Sequence, residues 1–207
     1  MAIFHVSTST PTKAEILAAW IPHQPWSPSG SDPIEIVGSF HFDDPEGCVG
    51  METHLVRVGE SVFQVPLTYR DAPLDEIAPV ATMEHSVLGT RWVYDGLDDH
   101  RYVMVLAGVA LTGQGQSLGW ACHEGRWYAA PSGVSLGHLG ERLDTPTPLD
   151  GLTLDTDCED QVVFRRGRLA LTFFRHLTPT TDDSVGLTAI WGGQPHPVLL
   201  ATAVRLG

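Results

Sequence analysis

The chain has a single lysine, Lys13; its other eleven basic residues are arginines, set against 25 acids for a formal net charge of −13. Such a surface repels phosphate backbones and anionic headgroups, and no basic stripe offsets it, so nucleic acid and membrane are excluded as partners. Arg165, Arg166 and Arg168 flank Gly167 and read as the end of a hairpin. Cysteine is scarce too: Cys48, Cys122 and Cys158 are odd in number, far apart and without a CxxC pair. That argues against a disulfide framework and against a zinc knuckle. No apolar run approaches the roughly 20 residues needed to span a bilayer. The opening MAIFHVSTSTPTK lacks the basic stretch and apolar core of a secretory signal. The expected location is the cytoplasm.

Catalytic signatures are also missing. None of the ten histidines is spaced HxxxH or HxH, so neither a metal nor another cofactor is expected. Ser132-Gly133-Val134-Ser135 is not a nucleophile elbow, and Gly113-Gln114-Gly115 lacks the strand–helix context of a dinucleotide loop. The Asp43-Asp44 and Asp98-Asp99 doublets sit in turn contexts, and a barrel of about 250 residues does not fit in 207.

What is present is a globular balance, 43% apolar and 18% charged. Thr10-Pro11 predicts a helix start, and Ile16, Leu17 and Trp20 carry the helical spacing up to the stop at Pro22. Period-two patterning then predicts strands over 34–42, 49–58 and 61–69. Tyr102, Val105, Leu106, Val109 and Ala110 predict a second helix ending at Gly113–Gly115. TGQGQS at 112–117 reads as a linker. The residues up to 116 hold five basic and fifteen acidic side chains, and the remainder seven and ten. Beyond it, 117–122, 126–130, 162–165, 168–175 and 198–205 read as strands and 141–160 mostly as loop. For 185–191 helix and strand both fit. The expected organisation is residues 1–114 and residues 115–207, with the latter β-rich.

Residues 81–96, ATMEHSVLGTRWVYDG, gather chemistry-bearing side chains: Glu84 beside His85, Arg91, Trp92 and Tyr94. Adjacent strand residues point to opposite faces, so Glu84 and His85 cannot cooperate from a strand. With Val87, Leu88, Trp92 and Val93 apolar, the stretch is expected to be scaffold, a turn leading into a buried strand.

VFQVPLTYRDAPL (62–74) and MEHSVLGTRWVYDGLDDHRYV (83–103), with AAWIPHQPW (18–26) upstream, resemble the N-terminal cap of actinobacterial maltokinases and related sugar kinases. The resemblance covers most of residues 10–112. It implies a cystatin-like curved antiparallel sheet packed on a helix, hence an α+β fold. VVFRRGRLALTFFRHLTP (162–179) and QPHPVLLATAV (194–204) more weakly resemble strands of the kinase N-lobe that follows the cap. By that resemblance the lobe's ATP-binding lysine falls at Thr172, whose hydroxyl cannot neutralise phosphates. The loop before the hairpin becomes DTDCED, whose Asp157, Glu159 and Asp160 repel a triphosphate. DDSVGLTAIW offers no counterpart of the helix glutamate, and the catalytic lobe is not expected. The expectation is a non-catalytic binding or regulatory protein, in the context of trehalose, maltose or α-glucan metabolism. The alternative is a small-molecule binding protein or enzyme using the concave face of the cap sheet. Candidate ligand or partner contacts are Trp26, Tyr69, Arg70, Glu84, His85, Arg91, Trp92 and Tyr94. The partner is an unidentified protein or a small sugar-like ligand, and self-association is compatible with the sequence.

Overall fold

Residues 50–58, GMETHLVRV, are apolar at both parities, and a strand so composed is covered on both faces. The computed structural model describes residues 2–5, 8–28, 32–123, 126–130, 132–142, 149–180 and 185–205. Its elements begin with β1 (Ala2–His5) and the two-residue β2 (Ser9–Thr10). Helix α1 (Lys13–Trp20) follows. Next come β3 (Ile34–Phe42), β4 (Gly50–Val58) and β5 (Ser61–Arg70), then the hairpin β6 (Ala81–His85) and β7 (Gly89–Asp95). Helix α2 (His100–Thr112) leads to a further hairpin, β8 (Gly119–His123) and β9 (Arg126–Ala130). The rest is strand: β10 (Val134–Leu139), β11 (Thr153–Asp157), β12 (Gln161–Arg166), β13 (Leu169–Phe174), β14 (His176–Leu177), β15 (Gly186–Trp191) and β16 (Gln194–Arg205).

These strands form three sheets. The first runs β2-β6-β7-β5-β4-β3, with β14 added to β5; the second runs β10-β15-β16-β13-β12-β11; the third is β1-β8-β9. The fold is α+β and mostly β, and its pairings are antiparallel except β1 with β8. Alternation along β4 explains the layering. Val56 and Val58 join Ile16, Leu17 and Ile21 of α1 and its following turn in one core. Met51 and Leu55 face the other way, into a larger core with Tyr102, Val103 and Leu106 of α2. That core continues into the second sheet through Val162, Phe164, Leu171, Phe173 and Leu200. Helix α2 thus lies between two sheets, which explains why it is apolar on much of its circumference.

The two sheets are also stitched by polar groups. Pro66 has no N–H, and around it β5 changes partner, from β7 opposite Leu67–Arg70 to β14 opposite Val62–Phe63. Arg175 sits at this change. Its N–H bonds the Asp160 carbonyl, its carbonyl accepts from Gln64 N, and its guanidinium bonds Asp95 Oδ2 at 2.6 Å at the end of β7. The Gln64 amide donates to the Phe174 and Leu200 carbonyls at 2.8 and 2.9 Å.

Several expected boundaries move. Helix α1 starts at Lys13, not after Thr10: Thr12 is the N-cap, its hydroxyl accepting from Glu15 N while the Glu15 carboxylate returns to Thr12 N. Its run ends in a 3-10 turn over Ile21–His23, where Pro22 is tolerated. Residues 112–117 are no free linker. Gly113, at φ 67°, caps α2 in the left-handed conformation, and Ser117 N bonds the His41 carbonyl on β3 at 2.9 Å. Residues 153–157 of the expected loop form β11, and of 185–191 all but the first residue form the strand β15. Gly167 turns the β12–β13 hairpin with φ 55°.

Candidate functional site

Glu52 lies on the α1 side of β4, and only 5% of it is exposed. A carboxylate that far from water needs partners, and four side chains supply them. Lys13, in the first turn of α1, forms an ion pair and hydrogen bond with Oε2. His41 Nε2, from β3 directly opposite, lies 3.3 Å from Oε1. His54 Nε2, two residues along β4, lies 3.6 Å from Oε2. Tyr69 of β5 donates its hydroxyl to Oε2 at 3.4 Å, and the Lys13 ammonium sits 5.4 Å from the centre of its ring. The group is most open at Lys13, whose side chain is 40% exposed, against 17% for that of His41.

Electrostatics fix the protonation states. Burial pushes the Glu52 carboxyl up, but His54, the His41 hydrogen bond and Lys13 together outweigh it and hold it well below the usual carboxylate range. Burial also takes His54 down to about 4, against the pull of Glu52. The Tyr69 hydroxyl is pushed well up by burial and by the carboxylate it serves. At neutral pH the group is a Lys13–Glu52 ion pair with a neutral His54 beside it. Chemically it offers a carboxylate, two imidazoles, a phenol and one ammonium open to solvent. Among the described residues no set of three or more His, Cys, Asp or Glu side chains is arranged to hold a metal ion.

The sequence pointed at Tyr69 but missed Glu52, Lys13, His41 and His54. The available signal was Glu52 and His54 at a two-residue spacing in a buried strand, in a chain with one lysine. The other candidates disperse. Trp26 is no surface residue: it is 8% exposed, with Trp20 and Phe63 rings at 6.0 and 5.7 Å and the Arg175 guanidinium 4.9 Å from its ring. Tyr94 is wholly buried, its hydroxyl accepting from Leu74 N at 2.8 Å. Arg70 clamps Asp99, the N-cap of α2, through two hydrogen bonds of 2.7 Å. Glu84 is exposed and accepts from Thr90 at 2.7 Å. On the opposite face, His85 Nδ1 accepts from Val87 N and Leu88 N and so closes the β6–β7 turn. Arg91 donates to the Thr90 carbonyl, and Trp92, opposite Arg70, is half-buried rather than buried. Val87 and Leu88, expected inside, are 54% and 47% exposed at the hairpin tip. Alternation sends Tyr69 and Arg91 to the α1 side and Arg70, Trp92 and Tyr94 to the other, so no single surface collects them.

The segment that carries this geometry, β3 to β7 up to the cap of α2, has a known counterpart. Residues 20–99 match the maltokinase N-terminal cap domain. The cap match takes in Glu52, His41, His54 and Tyr69, while Lys13 precedes it. No curated protein matches the chain. Outside the cap segment, a cleft of about 620 Å³ is lined by Cys158, Glu159, Asp160, Gln161, Phe174, His176 and Thr178. Thr172 lies between Leu171 and Phe173, which face the larger core, and is itself half-buried across from Val163 and Thr202. No described helix is long and apolar enough to cross a membrane.

Proposed function

We propose that this chain is a non-catalytic binding or regulatory protein built on a maltokinase-type, cystatin-like cap, acting in the cytoplasm in trehalose, maltose or α-glucan metabolism. Residues 115–207 are, in this reading, a degenerate kinase-lobe-like part with no phosphoryl-transfer chemistry. One observation carries the proposal. The only lysine is committed to Glu52 on the α1 side of the cap sheet, while the position resembling the lobe's ATP-binding lysine is Thr172, on another sheet. Phosphoryl transfer depends on a positive charge at the nucleotide phosphates, and a threonine hydroxyl supplies none. Titration calorimetry with Mg-ATP is expected to give no heat of binding; low-micromolar affinity would reject the reading. Affinity purification from the native cell with mass spectrometry then identifies what the protein binds.

A second reading, a small-molecule binding protein or enzyme on the cap face, is favoured by the Glu52 group. Its ionisable side chains converge, and Lys13 opens them to solvent. Maltose or trehalose raising the melting temperature of the native chain, with the rise lost in Tyr69→Phe, would place this reading first.

A further inference from the structure

A sheet edge presents unpaired N–H and C=O groups, and proteins block such edges with charge, shortness or cover. The larger sheets do so here. Edge strand β11 is exposed at all five residues but carries Asp155 and Asp157. The edge of β3 is covered: Ser117 N bonds the His41 carbonyl and the Ser132 hydroxyl bonds the Ser39 carbonyl at 2.6 Å. β2 is two residues long. Strand β9, RWYAA, is five residues long and carries a single charge, Arg126 at its first position. It holds no acid, lysine or proline, pairs with β8 on one side, and has no described strand on the other. Arg126, Trp127, Tyr128 and Ala129 are exposed one after another, Trp127 at 53% and Tyr128 at 49%. Successive residues face opposite sides, so each side of this thin sheet shows water an aromatic ring.

We propose that two copies of the chain pair through β9, antiparallel about a two-fold axis at Tyr128, joining their β1-β8-β9 sheets into one of six strands. Charge favours a second copy at this place. The chain repels itself at −13, yet residues 117–139 hold one acid, Glu124, and one arginine, Arg126, and so carry no net formal charge. The residue sizes are self-complementary as well. Centred on Tyr128, the pairing sets Trp127 across from Ala129 of the second copy, a large side chain over a small one, twice. On the other face the two Tyr128 rings meet across the axis, the kind of cross-strand aromatic pair that stabilises sheets.

Light scattering coupled to size exclusion, run over a wide range of protein concentration, reads this directly. The expected mass doubles as concentration rises. Trp127→Glu, which places a carboxylate on each side of the axis, and Ala129→Pro, which removes an edge N–H, are both expected to leave a monomer with an unchanged circular dichroism spectrum. A second readout does not depend on those variants folding. In a background with Cys48, Cys122 and Cys158 changed to serine, Tyr128→Cys places two thiols across the axis. Directly paired residues have Cα atoms about 4.5–5.5 Å apart, inside the roughly 4.4–6.8 Å that a disulfide spans. A covalent dimer should form on mild oxidation. A chain that stays monomeric, a dimer untouched by Trp127→Glu and Ala129→Pro, open-ended assemblies, or no cross-link through Tyr128→Cys would each overturn the proposal.

Discussion

His54 is a buried imidazole that stays neutral until about pH 4, whereas in the unfolded chain it takes its proton near 6.5. Between those values the unfolded state binds more protons, so stability rises with pH across this window and is lost on acidification. At about 1.4 kcal/mol per pH unit the full window is worth about 3 kcal/mol. Glu52, held low, acts in the same direction: its contribution is present above the unfolded carboxylate value and disappears as pH falls through the folded one. Urea midpoints should therefore drop from pH 7 to pH 4, and His54→Leu should flatten the part of the slope above pH 4. An unchanged slope would mean that other groups set it. The Lys13–Glu52 pair invites a double-mutant cycle. Lys13→Met leaves a buried carboxylate without its cation; partial exposure of the lysine limits the cost to about 2 kcal/mol, below the cost of breaking a fully buried pair. Adding Glu52→Gln should recover most of it. Little of this was legible beforehand. Glu52 and His54 are polar residues in an apolar strand, and their partners come from α1, β3 and β5, distances along the chain that no local pattern connects.

Elements whose boundaries depend on local chemistry were easier to read. The β12–β13 hairpin announces itself through apolar runs on either side of Gly167, and α2 through its apolar spacing. β11 did not, because TLDTD is an edge strand exposed at every residue and so has no apolar period to detect. The 81–96 stretch, expected to be a turn leading into a buried strand, is a hairpin whose turn is closed by His85, with its apolar tip in water. Its buried anchor is Tyr94, not Trp92. Tyr94→Ala should cost about 3–5 kcal/mol, as loss of a buried aromatic does, and Trp92→Ala clearly less; denaturant unfolding of the two variants checks the order. At the junction of β7 and β14, Arg175→Met should cost about 3–5 kcal/mol, because Asp95 is then left buried without its partner. Asp95→Asn in the Arg175→Met background should restore part of it. A midpoint unmoved by Arg175→Met would show that the junction is held by backbone bonds alone.

For the molecule as a whole, the linker-like composition of residues 112–117 suggested two parts, and composition could not show what crosses between them. The larger core draws on β3, β4 and α2 before that segment and on six strands after it, β10 and β12 to β16. A core shared in this way melts as one, so calorimetry should give a single transition with matching calorimetric and van't Hoff enthalpies. Two resolved transitions would refute the coupling. The solitary lysine has a last consequence at this scale. A lysine-specific protease finds one cleavable bond in 207 residues, after Lys13, and that bond lies in the first turn of α1, whose ammonium is held down by Glu52. Cleavage there requires the helix to lift and fray, so where opening is fast the rate of that single cut measures how often α1 leaves the sheet.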